Sequence, residues 1–99
     1  MYERELRQMR QAVKAERVRF TVHSLDELAA EGYSKADVYN CILTGEIVED
    51  QYDVRYQQVK YNIFGAARNG DEIGLTARFD AALGIVIITV FHLTVSDYD

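Results

Sequence analysis

The sequence predicts an α+β domain, with N-terminal helices packed on one face of a curved antiparallel sheet. Three observations predict it. Apolar residues recur at helical spacing over roughly residues 2–16 and again through residues 24–45. From about Gln58 onward the pattern changes to alternation, in runs joined by short turn signals. The last run, Gly84-Ile85-Val86-Ile87-Ile88-Thr89-Val90-Phe91-His92-Leu93, is uncharged and dominated by β-branched side chains. Such side chains lose freedom in a helix and fit a pleated sheet. Helices first and strands after is the order of an α+β domain.

Each element has its own signal. Tyr2, Leu6, Met9 and Val13 form an apolar stripe opposite Glu and Arg, which predicts an amphipathic helix over 2–16. Val18-Arg19-Phe20-Thr21-Val22 alternates and predicts a short strand or extended segment. Ser24-Leu25-Asp26-Glu27 has the S-x-x-E form of a capping box, so a second helix starts at Ser24 and ends at Gly32. Ser34-Lys35-Ala36-Asp37 repeats that signal for a third helix, closed by Gly45, with Val38, Cys41 and Ile42 facing inward. Glu46 to Asp50 is a short strand candidate, followed by a polar loop to about Gln57. Asn69-Gly70, between the runs Gln58–Ala67 and Glu72–Phe79, is a hairpin signal. In the first run Val59, Tyr61 and Ile63 share a face opposite Lys60, Asn62 and Phe64. In the second, Ile73, Leu75, Ala77 and Phe79 oppose Gly74, Thr76 and Arg78. Strict alternation in the last run places Ile85, Ile87, Thr89 and Phe91 together, opposite Val86, Ile88 and Val90.

Composition narrows the class. With 99 residues and 48% hydrophobic content, the chain reads as one domain with a core, residues 1–99. A single cysteine excludes an internal disulfide and a cysteine-rich zinc site. The long apolar run is too short to span a bilayer and no signal segment opens the chain, so the expected location is cytoplasmic, with no membrane partner. No metal or cofactor is expected. A net charge of -5 argues against a general nucleic-acid binder. The charge is uneven: residues 1–20 carry +3, residues 21–53 carry -7 and residues 54–79 carry +2. A basic patch on the sheet is compatible with that distribution.

Two segments carry a resemblance. The first is Phe20-Thr21-Val22-His23-Ser24 with the glycine-separated helices that follow it. The second is Lys60-Tyr61-Asn62-Ile63-Phe64-Gly65, the Asn-Gly turn, and Ile87-Ile88-Thr89-Val90-Phe91. Over about residues 18–93 the chain resembles an uncharacterised family of small bacterial and cyanobacterial domains grouped with the RelE, MqsR and BrnT toxins. The resemblance implies a RelE-like fold and a toxin of a type II toxin–antitoxin pair, cutting messenger RNA without a metal. It also implies a cognate antitoxin, of zinc-ribbon or helix-turn-helix type, as partner. That chemistry needs a base for the ribose 2′-hydroxyl, cations at the phosphate and an acid for the leaving oxygen. His23, Lys60, Tyr61 and Thr89 match polar positions of the family. The chain departs from it at Glu27 and Glu31, where arginines are usual, at Gly74, and at Phe91-His92 in place of a Tyr-Arg pair. Fewer cations at a phosphate site argue against nuclease activity.

The candidate residues follow from both readings. His23 is the acid/base candidate because imidazole is the side chain whose ordinary pKa lies nearest neutrality, and its plain alternative is a structural place beside the Ser24 cap. Tyr61 is the orienting or proton-donating candidate, with Lys60, Arg68 and Arg78 as RNA phosphate contacts. Cys41 reads as a small core residue and His92 as a solvent-facing strand end. The second reading is a non-catalytic interaction module. Its apolar strand face, Ile85, Ile87 and Phe91, docks a partner or a second copy in a homodimer, since an uncovered apolar face is adhesive. Both readings expect a bound protein, and only the first expects RNA cleavage.

Overall fold

A computed structural model describes residues 1–82 and 84–93. Three helices and five strands follow in the order α1 (Glu3–Lys14), β1 (Val18–Phe20), α2 (Val22–Glu31), α3 (Lys35–Thr44), β2 (Glu46–Asp53), β3 (Gln58–Ala66), β4 (Glu72–Phe79) and β5 (Ile85–His92). The fold is mixed α+β with the helices packed on the sheet. The strand order is β1-β5-β4-β3-β2. The β2-β3-β4-β5 run is an antiparallel meander; its last three strands are those the turn signals predict, and β2 joins them as a fourth. The sheet is not wholly antiparallel, because β1 runs parallel to β5, with Val18, Arg19 and Phe20 opposite Ile85, Val86 and Ile87.

The core is a layer between the helices and one sheet face. Met9, Ala12, Leu28, Val38, Cys41 and Ile42 come from the helices; Ile47, Ile63, Ile73, Leu75, Ala77, Ile85, Ile87 and Val90 come from the strands. The α1 stripe buries Met9 and Ala12, and Arg10 reaches past it to α3. Its guanidinium donates to the carbonyls of Ile42 and Gly45, both at 3.0 Å. Those are carbonyls left free at the C-terminal end of a helix, where a cation is also favoured by the helix dipole.

The α2 start differs from the sequence expectation. Thr21, not Ser24, is the N-cap: its hydroxyl oxygen accepts the Ser24 N–H at 3.0 Å. The Ser24 hydroxyl in turn donates to the Thr21 carbonyl at 2.8 Å, and Ser24 is buried. β1 therefore stops at Phe20, and Glu27 is released from any capping duty. Gly32 ends the helix in the left-handed region at φ 75°. The Ser34 signal is realised, with a reciprocal capping box to Asp37.

The β5 faces differ too, for a local reason. Ala77 pairs with Ile87 and Thr76 with Thr89, so Ile88 is an extra residue, a β-bulge. A bulge reverses the parity beyond it. Ile85, Ile87 and Val90 thus share the helix-covered face, while Val86, Thr89 and Phe91 point away from it. A second bulge interrupts β2 at Val48. β2 also runs three residues further than its sequence signal, to Asp53, because it pairs with β3 along its length.

Candidate functional site

Among the described residues one face of the sheet carries no helix, and three rows of side chains cross it. In the first row Arg19 of β1 lies beside Val86 of β5, which pairs with Arg78 of β4. Tyr61 pairs with Ala77 and Asn62 with Thr76, which brings Lys60 alongside Arg78; Gln51 of β2 follows. The second row is Thr89, Thr76, Asn62 and Glu49. Its members are tied together: the Thr76 hydroxyl donates to Asn62 Oδ1 at 2.8 Å, and Asn62 Nδ2 donates to Glu49 Oε1 at 3.0 Å. The third row is Phe91, Gly74, Phe64 and Glu46. The Phe91 ring lies over Gly74, in the space a side chain there would fill. The Phe64 and Phe91 rings meet edge to face, with centroids 6.3 Å apart and planes at 86°, a favoured aromatic geometry. Phe64 is 39% exposed.

Carboxylates temper the cations of the first row. Arg19 pairs with Asp80 at 3.4 Å and Lys60 with Asp53 at 3.2 Å. The Gly84 N–H, outweighing partial desolvation, holds the Asp80 carboxyl below the usual carboxylate range, helped by the Ala82 N–H, Arg19 and Arg78. For Asp53 partial desolvation pushes upward. The hydrogen bond from Lys60 and the N–H groups of Tyr56 and Arg55 outweigh it, so this carboxyl also lies low. Among the described residues Arg78 makes no ion pair; its guanidinium reaches only the Phe79 carbonyl, at 3.4 Å.

The residues singled out from the sequence do not converge. Lys60 and Arg78 are neighbours on the open face. Tyr61 is on the opposite face, in an aromatic cluster with Tyr2 (centroids 6.2 Å apart) and Phe79 (5.7 Å). Burial, then the nearby Glu5 and Asp50 carboxylates, push its hydroxyl pKa up. Arg68 sits in the β3–β4 turn, where its backbone N–H donates to Asp37 Oδ1 at 2.9 Å. It lies roughly 25 Å of extended chain from Lys60. His23 is in the first turn of α2, with a side chain 67% exposed and its Nε2 3.2 Å from Glu27 Oε2. Between it and Lys60 stand β5 and β4, and neighbouring strands are about 4.8 Å apart. Of the apolar set, Ile85 and Ile87 are 0% exposed in the chain's own core. The bulge at Ile88 leaves Phe91 alone of the three on the open face.

Three features escaped the sequence reading. The Phe64–Phe91 pair has a signal, since a glycine inside a strand often marks a close approach, here by Phe91. Arg19 joins the open face only because β1 pairs beside β5, which no local pattern announces. Glu27 acquires its role from tertiary packing: its Oε1 accepts the buried strand's Val90 N–H at 2.8 Å. Beside it, Glu27, Ala30, Glu31, Val90, Phe91 and His92 line a groove of about 440 Å³. A hollow of about 430 Å³ between α1 and the end of β4 offers one cation, Arg17, and Asp80, already bonded to backbone N–H groups. Neither includes Lys60, Tyr61, Arg68 or Arg78; the groove sets Glu27 and Glu31 beside His92, and Glu27 is already bonded to the Val90 N–H. Among the described residues no group of three or more His, Cys, Asp or Glu could hold a metal ion, and no helix is long and apolar enough to cross a membrane.

The fold and the open face define a small α+β domain with a sheet surface bearing an aromatic pair, a polar ladder and a mixed-charge row. The chain belongs to the family described as "Domain of unknown function (DUF4258)", whose pattern it matches over residues 20–92. Neither the curated proteins nor the solved structures give a significant match to it.

Proposed function

We propose that this domain is a protein-binding module, related to the RelE, MqsR and BrnT toxins and sharing their RelE-like fold, that docks a partner on the helix-free sheet face. One observation carries this: Phe64 and Phe91 pair edge to face on a sheet face that, among the described residues, no helix covers, with the Phe91 ring resting over Gly74. Rigid aromatics ringed by polar groups are what protein interfaces use as anchors. The partner of first choice is an antitoxin-like protein, zinc-ribbon or helix-turn-helix, encoded beside this chain. The test is co-expression with that neighbour, followed by mass measurement of the eluted complex. A complex lost in a Phe64→Ser, Phe91→Ser variant that still folds supports the reading. A complex indifferent to that variant, or no complex and a monomer, overturns it, and a homodimer broken by the variant would replace the antitoxin with a second copy.

A second reading, a metal-independent messenger-RNA endonuclease, draws on the adjacency of Lys60 and Arg78 with Arg19 in the same row. Cations in line suit a phosphate backbone. General acid–base catalysis, however, needs its acid and base within hydrogen-bond reach of one substrate. His23 lies across two strands from Lys60, and Tyr61 lies beneath the sheet, so this reading ranks second. Induced expression decides it. Growth arrest with cleaved messenger RNA, both abolished in folded His23→Ala and Lys60→Ala variants, would place the nuclease first.

A further inference from the structure

The two borders of the sheet are treated differently by the chain. On the β5 side β1 covers Ile85 to Ile87, and beyond it the chain supplies its own substitutes. The Thr21 N–H donates to the Ile87 carbonyl at 3.1 Å, the Thr21 hydroxyl to the Ile88 carbonyl at 3.1 Å, and Glu27 accepts from Val90. On the other side β2 pairs with β3 alone, and among the described residues no strand pairs with its outer edge, although the Tyr2 hydroxyl lies against Asp50. That edge is eight residues long, Glu46 to Asp53, with no proline and no lysine, and past the bulge at Val48 it runs in unbroken register with β3 from Glu49 to Asp53. An uncapped strand of this length presents a row of N–H and C=O groups able to template another strand.

Charge selects the occupant. β2 carries Glu46, Glu49, Asp50 and Asp53 and no cation. Lys60 answers Asp53, while among the described residues Glu46, Glu49 and Asp50 have no cationic partner. Register places Glu46 and Glu49 on the open face with Phe64 and Asn62, and Asp50 on the other face with Tyr61. A strand laid along this edge therefore meets carboxylates on both of its faces. A second copy of β2 would set acid against acid, which disfavours pairing. Between the acids, Val48 and Tyr52 are exposed and offer apolar contact. We infer that the outer edge of β2 receives an extended, basic segment of a partner protein as a sixth strand. Main-chain hydrogen bonds supply the attachment and the carboxylates the choice of Lys and Arg. The inference rests on the binding-module reading for the existence of a partner, and it names an edge where that reading names a face.

The experiment uses the full chain and a dye-labelled peptide, as long as β2, of arginine, lysine and valine with cations at both odd and even positions, so that both of its strand faces are basic. Binding is read by fluorescence anisotropy and located by hydrogen exchange. Expected are saturable binding and protection of β2 amides. At least about tenfold weaker binding is expected for a peptide N-methylated at alternate residues, which keeps its charge but loses its strand hydrogen bonds. A Glu46→Lys, Asp50→Lys variant should lose binding to a similar degree, and Phe64→Ser with Phe91→Ser should retain it. Equal binding of the N-methylated peptide, protection elsewhere than β2, or no binding overturns the inference. The peptide arm needs no variant, so a folding defect cannot mask the answer. Retained peptide binding alongside loss of the open-face complex separates the two sites.

Discussion

Glu27 Oε1 and the backbone N–H of Val90 are 2.8 Å apart, so a helix side chain completes the border of β5 where β1 has ended. Val90 is buried, and its N–H has no access to a strand partner on that side. An unsatisfied buried donor costs about 1–3 kcal/mol. Glu27→Ala should lower unfolding free energy in urea by that amount. Glu27→Gln retains a carbonyl acceptor and should lose about half as much, since a charge-assisted bond becomes a neutral one. His23→Ala removes only the exposed partner of Glu27 and should change stability by less than about 0.5 kcal/mol. A larger loss for His23 than for Glu27 would contradict this division of roles.

Acid should loosen the domain through two carboxylates. Asp37 is held below its ordinary range first by the Ser34 N–H, against partial desolvation, and then by the Arg68 N–H and the Ser34 hydroxyl. Asp80 is held low first by the Gly84 N–H. A carboxyl depressed in the folded state binds its proton more readily when unfolded. Its stabilisation is whole above the unfolded value, about 3.9, and is lost as pH falls through the folded value. Thermal melts should therefore be flat from pH 7 to about 5 on this account and fall below about pH 4. Asp37→Asn should melt lower than the parent at pH 7 and converge with it in acid, because Asn accepts the same N–H groups without the charge.

Cys41 should be inert in the native state. It is wholly buried, with its thiol 3.7 Å from the Ile73 carbonyl, and burial pushes its pKa up to about 12. Only the thiolate attacks alkylating or disulfide reagents. At pH 7.5 in buffer, iodoacetamide should leave the protein unlabelled for hours and label it stoichiometrically in urea, as followed by intact mass. Rapid native labelling would mean that α3 opens readily.

Local pattern carried most of the architecture and little of the surface. The apolar stripe of α1, the Ser34–Asp37 box, Gly32 and the Asn69-Gly70 turn are short-range devices, and each acts within a few residues of where it is written. The S-x-x-E pattern points to Ser24 as the cap and leaves Thr21 in the strand, whereas Thr21 takes the cap in the fold, where Ser24 is buried. The parity of β5 depended on a bulge, which exists only once β4 is alongside. The same holds for the candidate site. Alternation sets Lys60 and Arg78 on the polar side of their own strands and the β3–β4 register brings those sides together, while Arg19 and Phe91 join them through the β1 pairing and the bulge. Tyr61 was assigned a helix-side face by alternation and a functional role by resemblance, and a residue on that face cannot meet Lys60.

Two glycines on neighbouring strands should respond unequally to alanine. At Gly65 an added Cβ would press on the Cys41 carbonyl oxygen, and on Cys41 Sγ and the Gly45 Cα, both at 3.0 Å. The carbonyl and the Cα are backbone atoms of α3 and of its end, fixed by the Gly45 N–H bond to the Cys41 carbonyl at 2.8 Å. Neither can yield without moving the helix off β3, so Gly65→Ala should cost about 3 kcal/mol. In a domain of this size that corresponds to a drop in Tm of roughly 12–24 °C. At Gly74 the nearest atoms an added Cβ would meet all belong to the Phe91 ring, a side chain on the open face that can rotate outward. Removing a glycine from a strand interior returns about 0.5–1 kcal/mol, which offsets the lost ring contact. Gly74→Ala should therefore melt within a few degrees of the parent while turning Phe91 away from Phe64. Calorimetry measures the first effect, and chemical shifts of the two rings the second. Equal destabilisation by both substitutions would show that the open face, too, is fixed by packing the chain cannot relax.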